Sequence, residues 1–159
     1  MTKRTNLGPA RRIVLGLLVA AASASAPGCG GKPEHIACHP TRGRVLVGDE
    51  PAAGVDVLML NAANPGNSES PQPYATTDAD GTFELTTFEP GDGAPAGDYI
   101  VTLRWPDGPP GPSLPPARLG DAFTNPARTP YKATVAAKAN QLDPFRIDPA
   151  VIKKAKSAK

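Results

Sequence analysis

Proline and glycine limit what this chain can fold into before anything else does. The 159 residues include 20 prolines and 16 glycines, and each interior proline removes a backbone donor and breaks a helix. Long helices are excluded, which leaves short strands joined by turns and ordered loops. About thirty residues at the N-terminus read as an export signal, so roughly 130 remain, enough for one core.

Residues 1–12 hold Lys3, Arg4, Arg11 and Arg12 and no acid, and Ile13 to Ala22 is an apolar run of ten residues. That order of charge and apolar length predicts a cleaved secretory signal, because a membrane span needs about 20 apolar residues. Two readings of its end stand side by side. Cleavage after Ala22-Ser23-Ala24 would leave Cys29 and Cys38 free to close a small disulfide loop. Alternatively, Ala26-Pro27-Gly28-Cys29 resembles a lipobox, with Gly28 before the Cys whose thiol takes diacylglycerol and Gly30-Gly31 after it as a tether. Ala26 and Pro27 depart from the usual lipobox residues. Lipidation at Cys29 is the reading adopted, and it makes the membrane the first partner and leaves Cys38 unpaired.

Of the 17 Lys and Arg, the four named lie in the signal, leaving 13 against 15 acidic residues and a mature charge near −2. Nucleic acid is therefore not an expected partner. Lys153, Lys154, Lys156 and Lys159 crowd the last seven residues and read as a solvated tail.

From residue 41 onward, short β-rich runs alternate with turns. Strands are expected at Arg44 to Val47, Gly54 to Leu60, Tyr74 to Thr77, Thr82 to Thr87 and Asp98 to Trp105. Lys132 to Ala136 and Leu142 to Ile147 are expected to close the sheet as a hairpin across Ala139-Asn140. Val55, Val57 and Met59 alternate with polar Asp56, and Tyr99, Val101, Leu103 and Trp105 with Ile100, Thr102 and Arg104, so each strand has one face for the core. Residues 106–130 hold eight prolines, too broken for a helix and long enough to be a packed cover. The expected organisation is a signal peptide over 1–28, a tether over 29–41, a domain over 42–148 containing that loop, and a Lys-rich tail over 149–159.

The order Gly43 to Val45, Pro51 to Val57, Thr76 to Thr87 (TTDADGTFELTT) and Gly91 to Pro106 resembles the transthyretin-like or carboxypeptidase-regulatory-like lipoproteins of planctomycete bacteria. Leu119-Gly120-Asp121-Ala122-Phe123, with Asn125-Pro126 and Thr129-Pro130, is similar to that family's loop before its last two strands, where Phe123 is usually Tyr. The resemblance spans about residues 42–147. It implies an all-β fold, a single seven-stranded Greek-key β-sandwich, and no particular activity.

Several constellations carry chemistry on paper. Asp78-x-Asp80-Gly81 has the alternate carboxylates that open a calcium loop, and Glu89 stands at the twelfth position; the strand expected at 82–87 argues instead for an Asp-Gly turn. His35, Cys38 and His39 bring three metal-ligand side chains into five residues and resemble a c-type haem motif with His35 in place of its first Cys. No further His exists to complete an axial pair, and the segment reads as tether. Tyr74, Trp105 and Tyr131 are candidates for a glycan-stacking platform. Neither His is followed three residues later by Glu, so the zinc carboxypeptidase pair is missing, as is the C-terminal Tyr-Arg-Gly-Ser of hydroxyisourate hydrolases, which share the transthyretin fold. The expectation is a non-enzymatic, cofactor-free module of the cell envelope, on the periplasmic or outer-membrane face or otherwise secreted, with a structural or protein-interaction role. Carbohydrate binding, and metal or haem binding, are the alternatives.

Overall fold

A computed structural model of the chain describes residues 36–108 and 115–153. The expected signal peptide, Cys29 and His35 lie outside the described residues, as do 109–114 and 154–159. The fold below belongs to the unit Glu34–Lys159.

In chain order it contains β1 (Cys38–His39), β2 (Thr41–Val47), β3 (Glu50–Pro51), β4 (Asp56–Asn61), β5 (Tyr74–Thr76) and β6 (Thr82–Glu84). After these come β7 (Ala94–Pro95), β8 (Gly97–Arg104), the single-turn helix α1 (Asp121–Thr124), β9 (Lys132–Val135), β10 (Asn140–Gln141) and β11 (Phe145–Ile147). A 3-10 turn, Pro149–Val151, follows. The protein is all-β, as its punctuation predicts.

One sheet has the order β5-β4-β8-β9, antiparallel throughout. Its longest pairing runs from Asp56 opposite Arg104 to Asn61 opposite Tyr99, so Val57, Met59, Tyr99, Val101 and Leu103 share one buried face. The second sheet is built around β2. The carbonyls of Pro40 and Arg42 accept Asn140 and Leu142 N–H, and Gly48 N–H donates to Ile147. These even-numbered groups hold β10 and β11, parallel to β2, along one side. The odd-numbered carbonyls of Thr41 and Val45 accept Leu85 and Ala52 N–H, and β6 and β3 pair antiparallel along that other side. Val45, Phe83, Phe145 and Ile147 from this sheet meet Val57, Met59, Val101 and Leu103 from the first in one core. Phe83 and Phe145 stack with ring centroids 6.1 Å apart. A Cβ on Gly43 would overlap the Phe83 ring, which is why β2 carries a glycine in its interior.

The expected final hairpin does not form. β9 pairs with β8, whereas β10 and β11 cross to the other sheet. Asn140 redirects the chain: its side-chain oxygen accepts Ala136 N–H at 2.9 Å, its amide donates to the Ala136 carbonyl at 3.1 Å, and its backbone N–H donates to Pro40 at 2.8 Å. The fold also begins before residue 42, since β1 pairs with β7 and Thr41 is fully buried. At the other end, Ile152 packs against the core beyond residue 148. The proline-rich stretch contains α1 after all, and it folds back on itself through a bridge between Pro106 and Ala117. Leu119 anchors it in the core.

The two ends of the strands can be told apart. β1, β7, the 86–93 loop and the 136–140 turn lie at one pole, where Cys38 opposes Pro95. β8 runs away from that pole for eight residues, about 25 Å of strand. It ends beside Trp105, whose carbonyl accepts Arg118 N–H, while the Arg118 carbonyl accepts Lys153 N–H.

Candidate functional site

The turn between β5 and β6 is held by Asp78. Its Oδ1 accepts the N–H groups of Asp80 (3.0 Å) and Thr82 (2.9 Å), and its Oδ2 accepts the Thr82 hydroxyl (2.6 Å). The Thr82 hydroxyl bond, with the two backbone donors, holds the Asp78 carboxyl below its usual range. Gly81 completes the turn at φ +69, and a Cβ there would come within 2.6 Å of the Val45 carbonyl. Both Asp78 oxygens are thus engaged inside the turn, which is the Asp-Gly reading of this motif rather than a row of free calcium ligands. Among the described residues, no three His, Cys, Asp or Glu side chains converge as metal ligands.

Cys38 and His39 are part of the fold rather than of a tether. They are consecutive in β1 and so point to opposite faces. The Cys38 thiol meets Thr87 and Asp92 of the 86–93 loop. Burial pushes the thiol up; the Thr87 hydroxyl opposes this, and the Asp92 charge reinforces it. A thiol facing a carboxylate is disfavoured as a thiolate, the reverse of what a nucleophilic cysteine needs.

Asp92 was not singled out by the sequence reading, although its place between Gly91 and Gly93 marks a turn. Its Oδ1 accepts Thr87 N–H at 2.7 Å, and its Oδ2 accepts Phe88 and Glu89 N–H at 3.0 and 3.1 Å. Burial works to raise the Asp92 carboxyl, and these three donors overcome it and hold the group below its usual range. The Thr87 hydroxyl then donates to the Gly93 carbonyl at 2.6 Å. Tyr99 packs beneath, raised by burial, its hydroxyl donating to Pro95 at 2.8 Å.

The three aromatic candidates do not share a surface. Tyr74 opposes Leu58, which alternates with inward Val57 and Met59, so its ring lies on the outer face of its sheet, 55% exposed. Tyr131 aligns with inward Val101 through a backbone bond. It packs against Phe145 at 5.3 Å and Phe123 at 6.1 Å, and its hydroxyl donates to the Arg146 carbonyl. Trp105 has its ring face covered by the Arg118 guanidinium, 4.0 Å from the centroid. A cleft of about 440 Å³ lies between Tyr131, Lys132 and Thr134 on one side and Gln141, Asp143 and Phe145 on the other. It is the gap between the unpaired edges of the two sheets.

No protein-family model matches this chain, and no curated protein does. Among solved structures, a 9R-lipoxygenase from Cyanothece PCC8801 is similar at 14% identity with a TM-score of 0.35, over 73% of this chain. The chain spans 18% of that enzyme's length, and a likeness this loose bears on neither fold nor chemistry.

Proposed function

We propose that this protein is a non-catalytic envelope lipoprotein, anchored through Cys29, whose folded part is a transthyretin-like Greek-key sandwich with a structural or protein-interaction role. In this reading the seven expected strands correspond to β2, β4, β5, β6, β8, β9 and β11, and β1, β3, β7 and β10 are short additions. The observation that carries the proposal is the spacing between anchor and fold: β1 begins at Cys38, nine residues after the Cys of the lipobox-like sequence, which itself follows a basic and then an apolar segment. The non-catalytic half is supported by how the candidate chemistry is used. The Asp78 and Asp92 carboxylates each bind N–H groups of their own turns, and the Cys38 thiol faces an acid.

Mass spectrometry of the mature N-terminus tests the anchor. A diacylglyceryl group on Cys29 is expected, together with transfer of the Cys29→Ser variant from the membrane to the soluble fraction. A mature chain starting at Ser25 or Pro27 would overturn the lipoprotein reading.

A further inference from the structure

We propose that the β1 pole of the fold rests on the lipid bilayer, with Ile36 and Phe88 as its apolar contacts and Trp105 held at the opposite end. The inference depends on the reading of Cys29 as the lipid-bearing residue and adds to it an orientation and a contact surface.

The first argument is reach. Seven residue steps separate Cys29 from Ile36, and a chain cannot span more than about 3.6 Å per residue. The point where the chain enters the fold therefore stays within about 25 Å of the anchored cysteine. That entry is at the β1 pole, since the chain passes from Ile36 directly into Cys38, opposite Pro95 of β7.

The second argument is what this pole exposes. Ile36 is 61% exposed, and Phe88 is 39% exposed in the 86–93 loop. Asp92 gathers that loop, and both Asp92 and Thr87 reach Cys38, which places Phe88 beside the segment carrying Ile36. Of the other exposed large apolar side chains among the described residues, Tyr74 projects from the outer face of a sheet, and Val151 belongs to the turn after β11. Two apolar side chains on neighbouring segments, brought to the interface by a short lipid-bearing segment, suit insertion at the headgroup–acyl boundary. Glu89 and Asp92 border them, so the matching surface is zwitterionic lipid rather than strongly anionic lipid. Lys153, hydrogen-bonded to Arg118 beside Trp105, belongs to the far pole.

The single tryptophan makes the orientation measurable. Mature lipidated protein is reconstituted into phosphatidylcholine vesicles with brominated acyl chains, which quench indoles that reach the membrane. The unsubstituted protein should keep its Trp105 emission. Two further proteins, Phe88→Trp and Ile36→Trp, each combined with Trp105→Phe, should lose about half of theirs, as rings at the boundary would. Amide exchange on the unsubstituted protein, in which residues 86–93 should be slower on vesicles than in detergent, gives the same answer if a variant folds poorly. Quenching of Trp105, or no quenching of either introduced indole on protein whose mass shows the diacylglyceryl group, would overturn the orientation alone. Absence of that group would overturn the lipoprotein reading itself.

Discussion

Three backbone N–H groups converge on the Asp92 carboxylate, and the 86–93 loop owes its shape to them. Asp78 does the same for the turn before β6. Both carboxyls sit below their ordinary value of 3.8 in the folded chain. When the native value is the lower one, the unfolded chain takes up more protons as pH falls. The stabilisation is then complete above the unfolded value and is lost as pH drops through the native one. Thermal melts should hold steady above about pH 5 and should decline as pH falls below about 4. Asp92→Asn should lower the pH 7 stability by about 1–2 kcal/mol and flatten the acid decline, because it weakens acceptance from three donors. Glycine is constrained just as locally. Gly93 has φ +90, and a Cβ there would collide with the His39 carbonyl, whereas Gly54 has φ +72 with nothing near. Urea denaturation should therefore show Gly93→Ala costing about 3 kcal/mol or more and Gly54→Ala about 1 kcal/mol, the first adding backbone displacement to the conformational strain both share.

At the level of strands, what could be read from the chain was existence rather than partnership. Val55 to Met59 and Tyr99 to Leu103 alternate cleanly, and β4 and β8 lie where the alternation puts them, within two residues at each end. β1, β3 and β7 are two residues each, too short for any period to register. β2 starts earlier than expected because Thr41 and Gly43 carry no apolar signal. Thr41 is buried all the same, its hydroxyl bonded to the His39 carbonyl, and Gly43 is selected by the Phe83 ring above it. The crossover after β9 was illegible for a different reason. Residues 132–147 have the alternation and turn of a hairpin, and the deciding contacts come from Pro40 and Arg42, about a hundred residues away. The candidate sites were legible to the same extent: the Asp-Gly turn at Asp78 could be read from the strand that follows it, whereas the place of Cys38 in β1 could not, because its neighbours Thr87 and Asp92 come from a loop about fifty residues away. Pairing on one side only gives β9 a measurable signature. Val101 N–H bonds Tyr131, and in antiparallel alternation Ala133 and Val135 then face β8, while Lys132 and Thr134 turn their N–H groups outward. Hydrogen exchange followed by NMR should find the Lys132 and Thr134 amides exchanging orders of magnitude faster than those of Ala133 and Val135. Equal protection at all four would mean that the edge is covered.

The molecule as a whole is closed differently at its two poles. At the β1 pole the chain is held by backbone pairing and by carboxylates; at the other it is sealed by the segment after β11. Asp148 accepts Ala150 N–H at 2.8 Å to start the 3-10 turn, Ile152 packs against the core, and Lys153 N–H donates to Arg118 at 2.8 Å. Arg118 in turn lies over Trp105 and fixes the stretch that delivers Leu119 to the core. A chain ending at Asp148 loses one partly buried aliphatic side chain and one bond to this stretch, together about 2 kcal/mol. For a domain of this size that is a fall in melting temperature of roughly 5–10 °C. Because the lost bond is to the residue covering the indole, the same truncation should shift the emission of Trp105 to the red, as water reaches a ring that Arg118 no longer holds. Lys153→Ala in the full chain keeps the backbone N–H and should leave both readouts unchanged, which separates the main-chain seal from any effect of lysine charge.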